Sequence, residues 1–304
     1  MSDRLMLLDT ASLYFRAFYG VPDRVKAPDG SSVNAVRGLL DIVAKLVTLY
    51  RPTQIVACWD DAWRPQWRVD RIPSYKAHRL ISSDAGEIED VPEALVQQVP
   101  LIRQALTAVG IPIVGVADHE ADDVIGTLST RSAIPVDIVT GDRDLFQLVD
   151  DARDVRVVYT AKGMSNLEIV TDTVVVAKYG ILPSQYADFA TMRGDASDGL
   201  PGVKGVGEKS AATLLQAHGD LRGVREAAAS GTLSAAVTAR FAAASDYLDV
   251  APAVVQVVRD LDVTAPDAPV RALDPAQADA AEQLAAQWNL GTSMSRALSA
   301  LAGA

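Results

Sequence analysis

Cysteine is almost missing from this chain: Cys58 is the only one in 304 residues. A single thiol excludes an internal disulfide framework and a cysteine-built zinc site. Histidine is scarce as well, and His78, His119 and His218 lie far apart. No Gly-x-Ser-x-Gly nucleophile elbow occurs. Aromatics make up 6% of the chain, so Ala, Val and Leu must fill most of the core that 49% hydrophobic residues can supply. No apolar run reaches eighteen residues, so no membrane-spanning helix is expected. The apolar run 5–8 is too short for a secretory signal, and Asp9 follows it at once. A reducing cytoplasm is the natural setting.

Net positive charge is also lacking. The formal charge is -11, which at first sight opposes binding to a phosphate backbone. The objection weakens once the acids are located. Nine of them gather in short clusters, and setting those nine aside leaves the chain nearly balanced.

Apolar periodicity organises the first half. Residues 5–8 read as a buried strand, 36–49 as a helix and 54–59 as a strand. A helix follows at 99–109, stopped by Gly110, then a strand at 111–116, a helix at 120–130 and strands at 136–140 and 155–159. Strands alternating with helices predict a mostly parallel sheet covered on both faces. From about residue 186 the chain turns helical and Ala-rich, with a strand expected at 254–261, a Pro-rich connector at 264–275 and a last helix at 276–289. The expected division is an α/β core over 1–185 and a helical region over 186–304. Residues 77–92 are polar and poorly periodic, and read as mobile or loosely helical.

The acids stand where a parallel sheet puts its chemistry. Asp9 follows the first strand, Asp60 and Asp61 the second, Asp118, Glu120, Asp122 and Asp123 the third, and Asp142 and Asp144 the fourth. Ligands of open α/β sheets bind beyond the carboxyl ends of strands. One Asp after a strand is usually a helix cap. Four clusters at successive strand ends would repel one another without a cation. All are oxygen donors, which suits Mg²⁺ or Mn²⁺ better than Zn²⁺. A fifth cluster, Asp195 and Asp198 in Gly194–Gly199, could be a polar turn or two further ligands. After it comes Gly202-Val203-Lys204-Gly205-Val206-Gly207-Glu208-Lys209. Its lysine is one place late for a phosphate-binding P-loop and no strand precedes it. A helix–hairpin–helix, offering backbone N–H groups to phosphate, fits better.

Taken together, these motifs resemble the 5′-nuclease (flap endonuclease) superfamily, on its bacterial branch. They are Leu7-Leu8-Asp9, Trp59-Asp60, Tyr75-Lys76-Ala77-His78-Arg79, Glu120-Ala121-Asp122-Asp123, Thr140-Gly141-Asp142-Arg143-Asp144, Gly194-Asp195-Ala196-Ser197-Asp198 and the 202–209 hairpin. The resemblance spans roughly residues 4–262. With no polymerase segment after it, the chain resembles the separate exonuclease more than the front domain of DNA polymerase I.

The resemblance implies a PIN-like 5′-nuclease fold with an arch-like segment at about 70–98. It implies two-metal hydrolysis of DNA flaps and 5′ ends in replication and repair. Asp60, Glu120, Asp122 and Asp123, with Asp9 nearby, would serve one metal group; Asp142, Asp144, Asp195 and Asp198 would serve the other. Lys76 and Arg79 would approach the scissile phosphate. Arg68, Tyr75, Gly202, Lys204, Gly205, Gly207 and Lys209 would meet DNA, with a potassium ion at the hairpin. A DNA polymerase and a ligase are the implied partners of a monomer acting near the nucleoid. Departures from the family pattern are Trp59 and Trp67 in place of Phe, an extra acid at Asp61, Gly199 in place of a common Asn, and no Pro-rich continuation after Arg79. Two rival classes remain: an RNA-directed metal phosphohydrolase and a catalytically silent DNA-binding module. The hairpin and residues 75–79 count against the first, and the full set of acids against the second.

Overall fold

The computed structural model describes residues 3–83 and 86–303. Its strands are β1 (Leu5–Asp9), β2 (Gln54–Cys58), β3 (Leu80–Ser83), β4 (Gly86–Glu89), β5 (Ile113–Val114), β6 (Val136–Thr140), β7 (Val155–Tyr159) and β8 (Glu168–Val170). Six of them form one sheet in the order β5-β2-β1-β6-β7-β8. Pairing is parallel from β5 to β7, and β8 joins β7 antiparallel.

Side chains alternate across the sheet, as a period of two requires. Leu5 and Leu7 of β1 face one core with Val136 and Ile138 of β6. Met6 and Leu8 face the other with Ile55 and Ala57 of β2. Both faces are therefore covered, and the central strands read as continuous apolar runs. On the Met6 side lie helices Thr10–Gly20, Asn34–Tyr50, Val99–Ala108, Pro275–Gln287 and Thr292–Ala302. Gly38 lets the first two of these meet closely: a Cβ there would stand 2.8 Å from the Ala17 methyl. On the other side, helix Ala121–Arg131 shares one core with Tyr186, Phe189, Val203 and Leu215 from the second half. The helical region is thus built onto the sheet. Among the described residues no helix is long and apolar enough to cross a membrane.

Several expectations need correction. No strand forms at 254–261: helix Ser245–Val255 takes its first residues and the rest is irregular. Its amides bond side chains instead of a ladder. Val257 donates to Gln147 at 3.1 Å, Val258 to Asp123 at 2.9 Å and Leu261 to the Thr127 hydroxyl at 3.3 Å. The apolar side chains still pack inward, which explains the strand-like pattern. A further helix, Thr292–Ala302, follows the one expected to be last. Helix Thr10–Gly20 and β8 add to the expected elements. The strand expected over 111–116 shrinks to the two residues of β5. Residues 77–92 form a short 3₁₀ turn, Ala77–Arg79, and then the antiparallel β3–β4 hairpin, not a loose helix; residues 84 and 85 lie outside the described residues.

Asp137 sits in mid-β6 with its side chain fully buried, bonded to Arg4 at 2.7 Å and to Arg156 at 2.7 and 3.2 Å. Among the described residues, removing it leaves Arg156 without a carboxylate partner and Arg4 with Asp154 alone. Asp137→Ala is expected to cost about 3 kcal/mol, the scale for breaking a buried charge pair. Urea denaturation checks this; an unchanged midpoint would mean that the pairs contribute nothing.

Candidate active site

The strand order sets the site. β2, β1 and β6 are neighbours, and the chain reverses its direction of winding between β1 and β6. Such a switch point opens a crevice at the carboxyl ends. Asp9 ends β1 and caps helix Thr10–Gly20, accepting from the Ser12 amide at 3.3 Å and from the Thr140 hydroxyl at 2.6 Å. Asp60 follows β2 and accepts from the Ala121 amide at 2.8 Å. Glu120 caps helix Ala121–Arg131, whose first turn carries Asp122 and Asp123. Asp142 follows β6 and accepts from the Asp144 amide at 2.9 Å. Asp195 and Asp198 come from the turn after helix Tyr186–Arg193. Asp9, Asp60, Glu120, Asp122, Asp142 and Asp195 share a cleft of ≈ 1140 Å³.

These carboxylates disturb one another. Burial, then the charge of Asp60, pushes Asp9 up to about 7, against the Thr140 and Ser12 hydrogen bonds. Burial, then Asp9 and Asp142, raises Asp122 well above the carboxylate range. Burial, then Asp142, Asp198 and Asp195, does the same to Asp144. Asp60 and Asp198 are raised chiefly by burial, with Lys76 opposing it in both. Asp195 is the exception. Burial raises it, but the Ser197 hydroxyl and amide and the Arg193 guanidinium outweigh that and hold it below the ordinary value.

A set of desolvated, mutually repelling oxygen donors fits hard divalent cations. Among the described residues no three His, Cys, Asp or Glu side chains are drawn together as a finished cage. The acids are strung along the cleft and partly neutralised by the chain's own cations. Lys76 Nζ bonds Glu120 Oε1, and Arg79 reaches Asp198 at 3.0 Å and the Ser197 carbonyl at 2.7 Å. Lys76 is in the left-handed region at φ 49, and its amide donates to the Asp198 carbonyl at 2.9 Å.

Three expected roles change. Arg68 is 2% exposed and cannot meet DNA here. Its guanidinium grips Asp123 at 2.7 and 2.9 Å, pairs with Glu120 and donates to the Val254 carbonyl at 3.1 Å. Asp123 is fully buried, with both oxygens committed to Arg68, and so is closed to an ion. Tyr75 is buried too, and its hydroxyl donates to Glu120 at 2.7 Å. These residues orient the site from below. Gly199 suits its turn: at φ 70 a Cβ there would collide with the Ser74 carbonyl. Within residues 202–209, Gly205 has φ 80 and its carbonyl accepts from Arg240 at 3.1 Å. Gly207 has an ordinary φ of -102 and open space before it, at the start of helix Glu208–His218. Lys204 and Lys209 are exposed. Trp59 is buried beside Tyr14, Trp67 lies under Arg68 and Arg71, and Trp63 lines the cleft.

Sequence reasoning missed Tyr14 and Arg16, which line the cleft from helix Thr10–Gly20, and Arg143, between two site acids. Only the last had a signal, its place in the Asp142-Arg143-Asp144 motif.

Residues 4–180 match the family described as 5′-3′ exonuclease, N-terminal resolvase-like domain, and residues 181–278 match 5′-3′ exonuclease, C-terminal SAM fold. The chain therefore belongs to the 5′-3′ exonuclease family. It is 55% identical to a 5′-3′ exonuclease of Streptomyces coelicolor, over 97% of this chain and 99% of that one. It is 44% identical to a 5′-3′ exonuclease of Mycobacterium tuberculosis, over 99% and 98%. It is also 43% identical to part of DNA polymerase I of Mycobacterium bovis, over 72% of this chain and 23% of that one. Its fold matches that of zinc-bound T5 5′-exonuclease with a TM-score of 0.65 at 16% identity, over 98% and 99% of the two chains.

The raised Asp9 carries a stability prediction. Its folded value of about 7 lies above the unfolded 3.8, so between them the folded chain holds the extra proton. Stability of the metal-free protein is therefore lost as pH rises through that window, and the whole penalty remains above it. Asp9→Asn is expected to stabilise the metal-free protein by about 3–4 kcal/mol at pH 8. The gain should shrink as pH falls towards 4. Urea titrations in chelator at several pH values check this; a gain independent of pH would refute the burial account.

Proposed function

We propose that this chain is a divalent-metal-dependent 5′-3′ exonuclease and flap endonuclease that hydrolyses DNA at 5′ ends, flaps and branches during replication and repair. One observation carries the reading. Acids from three adjacent strand ends, a helix N-terminus and the turn at Asp195 share one cleft, where burial and neighbouring carboxylates hold Asp9 and Asp122 above their ordinary range. Family membership supports the same activity.

Asp9, Asp60, Glu120, Asp122, Asp142, Asp144, Asp195 and Asp198 would hold two or more Mg²⁺ or Mn²⁺ ions. When bound, such ions supply Lewis-acid activation of water and neutralise charge on phosphate. The chain's own residues do the rest. Arg68 and Tyr75 hold Glu120 in place. Lys76 and Arg79 balance Glu120 and Asp198 in the free chain. With those acids engaged elsewhere, the two side chains are free to meet the charge that develops on the scissile phosphate. No side-chain nucleophile is needed, and the products would carry 5′-phosphate and 3′-hydroxyl ends. Gly202, Gly205 and Gly207, with exposed Lys204 and Lys209, would grip the duplex as a helix–hairpin–helix with a potassium ion. The reading includes a monomer working in the cytoplasm near the nucleoid, beside a DNA polymerase and a ligase.

A cleavage panel of 5′-labelled flap DNA, single-stranded DNA and structured RNA, run in Mg²⁺ and in Mn²⁺, tests the proposal. Flap DNA should be the best substrate; preferential cleavage of RNA would favour the phosphohydrolase reading instead. Asp142→Asn and Asp195→Asn should each lower cleavage at least about a thousandfold, or ~4 kcal/mol, with DNA binding nearly intact. Near wild-type cleavage by either would refute the ligand assignment. Lys76→Ala should slow the chemical step far more than it weakens duplex binding. Single-turnover rates at saturating enzyme decide that, and an unchanged rate would leave Lys76 without a catalytic role.

A further inference from the structure

We propose that the pocket between Arg153 and Arg259, at the far end of helix Ala121–Arg131, binds a phosphate dianion, free or as a monoester. The pocket measures ≈ 310 Å³ and is lined by both arginines and by Thr130 and Ser184. It is separate from the acidic cleft. The cleft acids Glu120 and Asp122 stand at the start of that helix, and Thr130 stands near its end. At about 1.5 Å of rise per residue, Thr130 lies about 12 Å along the axis from Asp122.

Both guanidinium groups are largely uncommitted. Arg153 spends Nη2 on the carbonyls of Ser129, Thr130 and Ser132 at 3.2, 2.8 and 3.2 Å. That contact closes the helix end and is structural. Arg259 spends Nη2 on the Gln147 carbonyl at 2.8 Å. A guanidinium has five N–H donors, and the Nε and Nη1 donors of both side chains meet no acceptor among the described residues. Both residues reach solvent, so a small ligand can reach them.

The two cations are also close and unneutralised. Among the described residues neither has a carboxylate within ion-pair range. Partial burial, then the charge of Arg153, holds Arg259 below its ordinary value. An anion between them would turn that repulsion into attraction. Asp150 and Asp172 line the same pocket, and each has an oxygen accepting a backbone amide, from Ala152 at 3.1 Å and from Asp151 at 3.2 Å.

The donor set selects the ligand. Arginine pairs with phosphate through two parallel hydrogen bonds, and Thr130 and Ser184 add hydroxyl donors. A phosphate dianion has the charge and the oxygens for both arginines, whereas a single carboxylate leaves part of the set unused. The volume is at the small end for ligand pockets and suits orthophosphate or a mononucleotide.

Calorimetric titration of the metal-free protein in chelator tests this, at about pH 7.5, where phosphate is mostly a dianion. Orthophosphate and thymidine 5′-monophosphate should each bind one site and compete for it. Thymidine should not bind. Arg259→Gln should weaken both anions at least about tenfold, the scale of a lost charge-assisted hydrogen bond. Should that variant fail to fold, Thr130→Val carries the test, with an expected weakening of about threefold. No binding of either anion by the wild type, or wild-type binding by the folded variant, would overturn the proposal. Thymidine binding as tightly as its monophosphate would do the same. So would loss of phosphate binding in Lys204→Gln, Lys209→Gln with Arg259→Gln unaffected, which would move the anion to residues 202–209. Duplex DNA separates the remaining source, because Arg259→Gln should bind it as the wild type does. A tenfold loss of duplex affinity with orthophosphate binding unchanged would make the pocket a DNA backbone contact and overturn the proposal.

Discussion

Buried carboxylates at one end of a parallel sheet need positive charge beside them, and much of this structure is arranged around that need. Asp9, Asp122 and Asp144 are desolvated, and each lies in the field of Asp142. In the free chain the only relief comes from the protein itself. Arg68 neutralises Asp123 and shares Glu120, Lys76 takes the other oxygen of Glu120, and Arg79 takes Asp198. The chain's own cations thus balance Asp123, Glu120 and Asp198, while Asp9, Asp122 and Asp144 stay raised by burial and neighbouring carboxylates. That residual repulsion is the physical basis for the proposed role of the cleft as a divalent-cation site.

The same contacts join the two halves of the chain. Lys76 binds the backbone of Asp198, the Ser74 hydroxyl donates to the Gly199 carbonyl at 2.8 Å, and Arg68 reaches the carbonyl of Val254. Gly199 permits the close approach because it alone tolerates both the left-handed backbone and the nearby Ser74 carbonyl. Residues 68–79 therefore act as a clasp: one side orients Glu120, and the other holds the 195–198 turn at the edge of the cleft. Assembly of the site and packing of the helical half are one event, which agrees with their common hydrophobic core.

Local pattern made much of this legible. The central strands β1, β2, β6 and β7 and helices Asn34–Tyr50, Val99–Ala108 and Ala121–Arg131 lie where periodicity put them, because their apolar repeats match the faces they bury. The position of the acids after successive strands brings Asp9, Asp60, Asp122 and Asp142 to one cleft, since parallel topology gathers the strand ends at one edge. Where the pattern misled, a tertiary partner had replaced the usual one. Residues 257–261 look like a strand but spend their amides on Gln147, Asp123 and Thr127. Helix Thr10–Gly20 is half buried and half cleft wall, so its repeat is blurred by Arg16 and by Tyr14.

The sequence by itself determined the α/β class and the convergence of acids on one edge of the sheet, because these follow from composition and from short-range spacing. Only the tertiary structure decided how those acids divide. Asp122 and Asp123 are adjacent in the chain and chemically identical, yet one faces the cleft and the other is clamped by Arg68. Neighbours on a helix point about 100° apart, so a single residue separates a cleft-facing position from a buried anchor. Which of them Arg68 would meet depended on a partner fifty-five residues away, and no local pattern contains that.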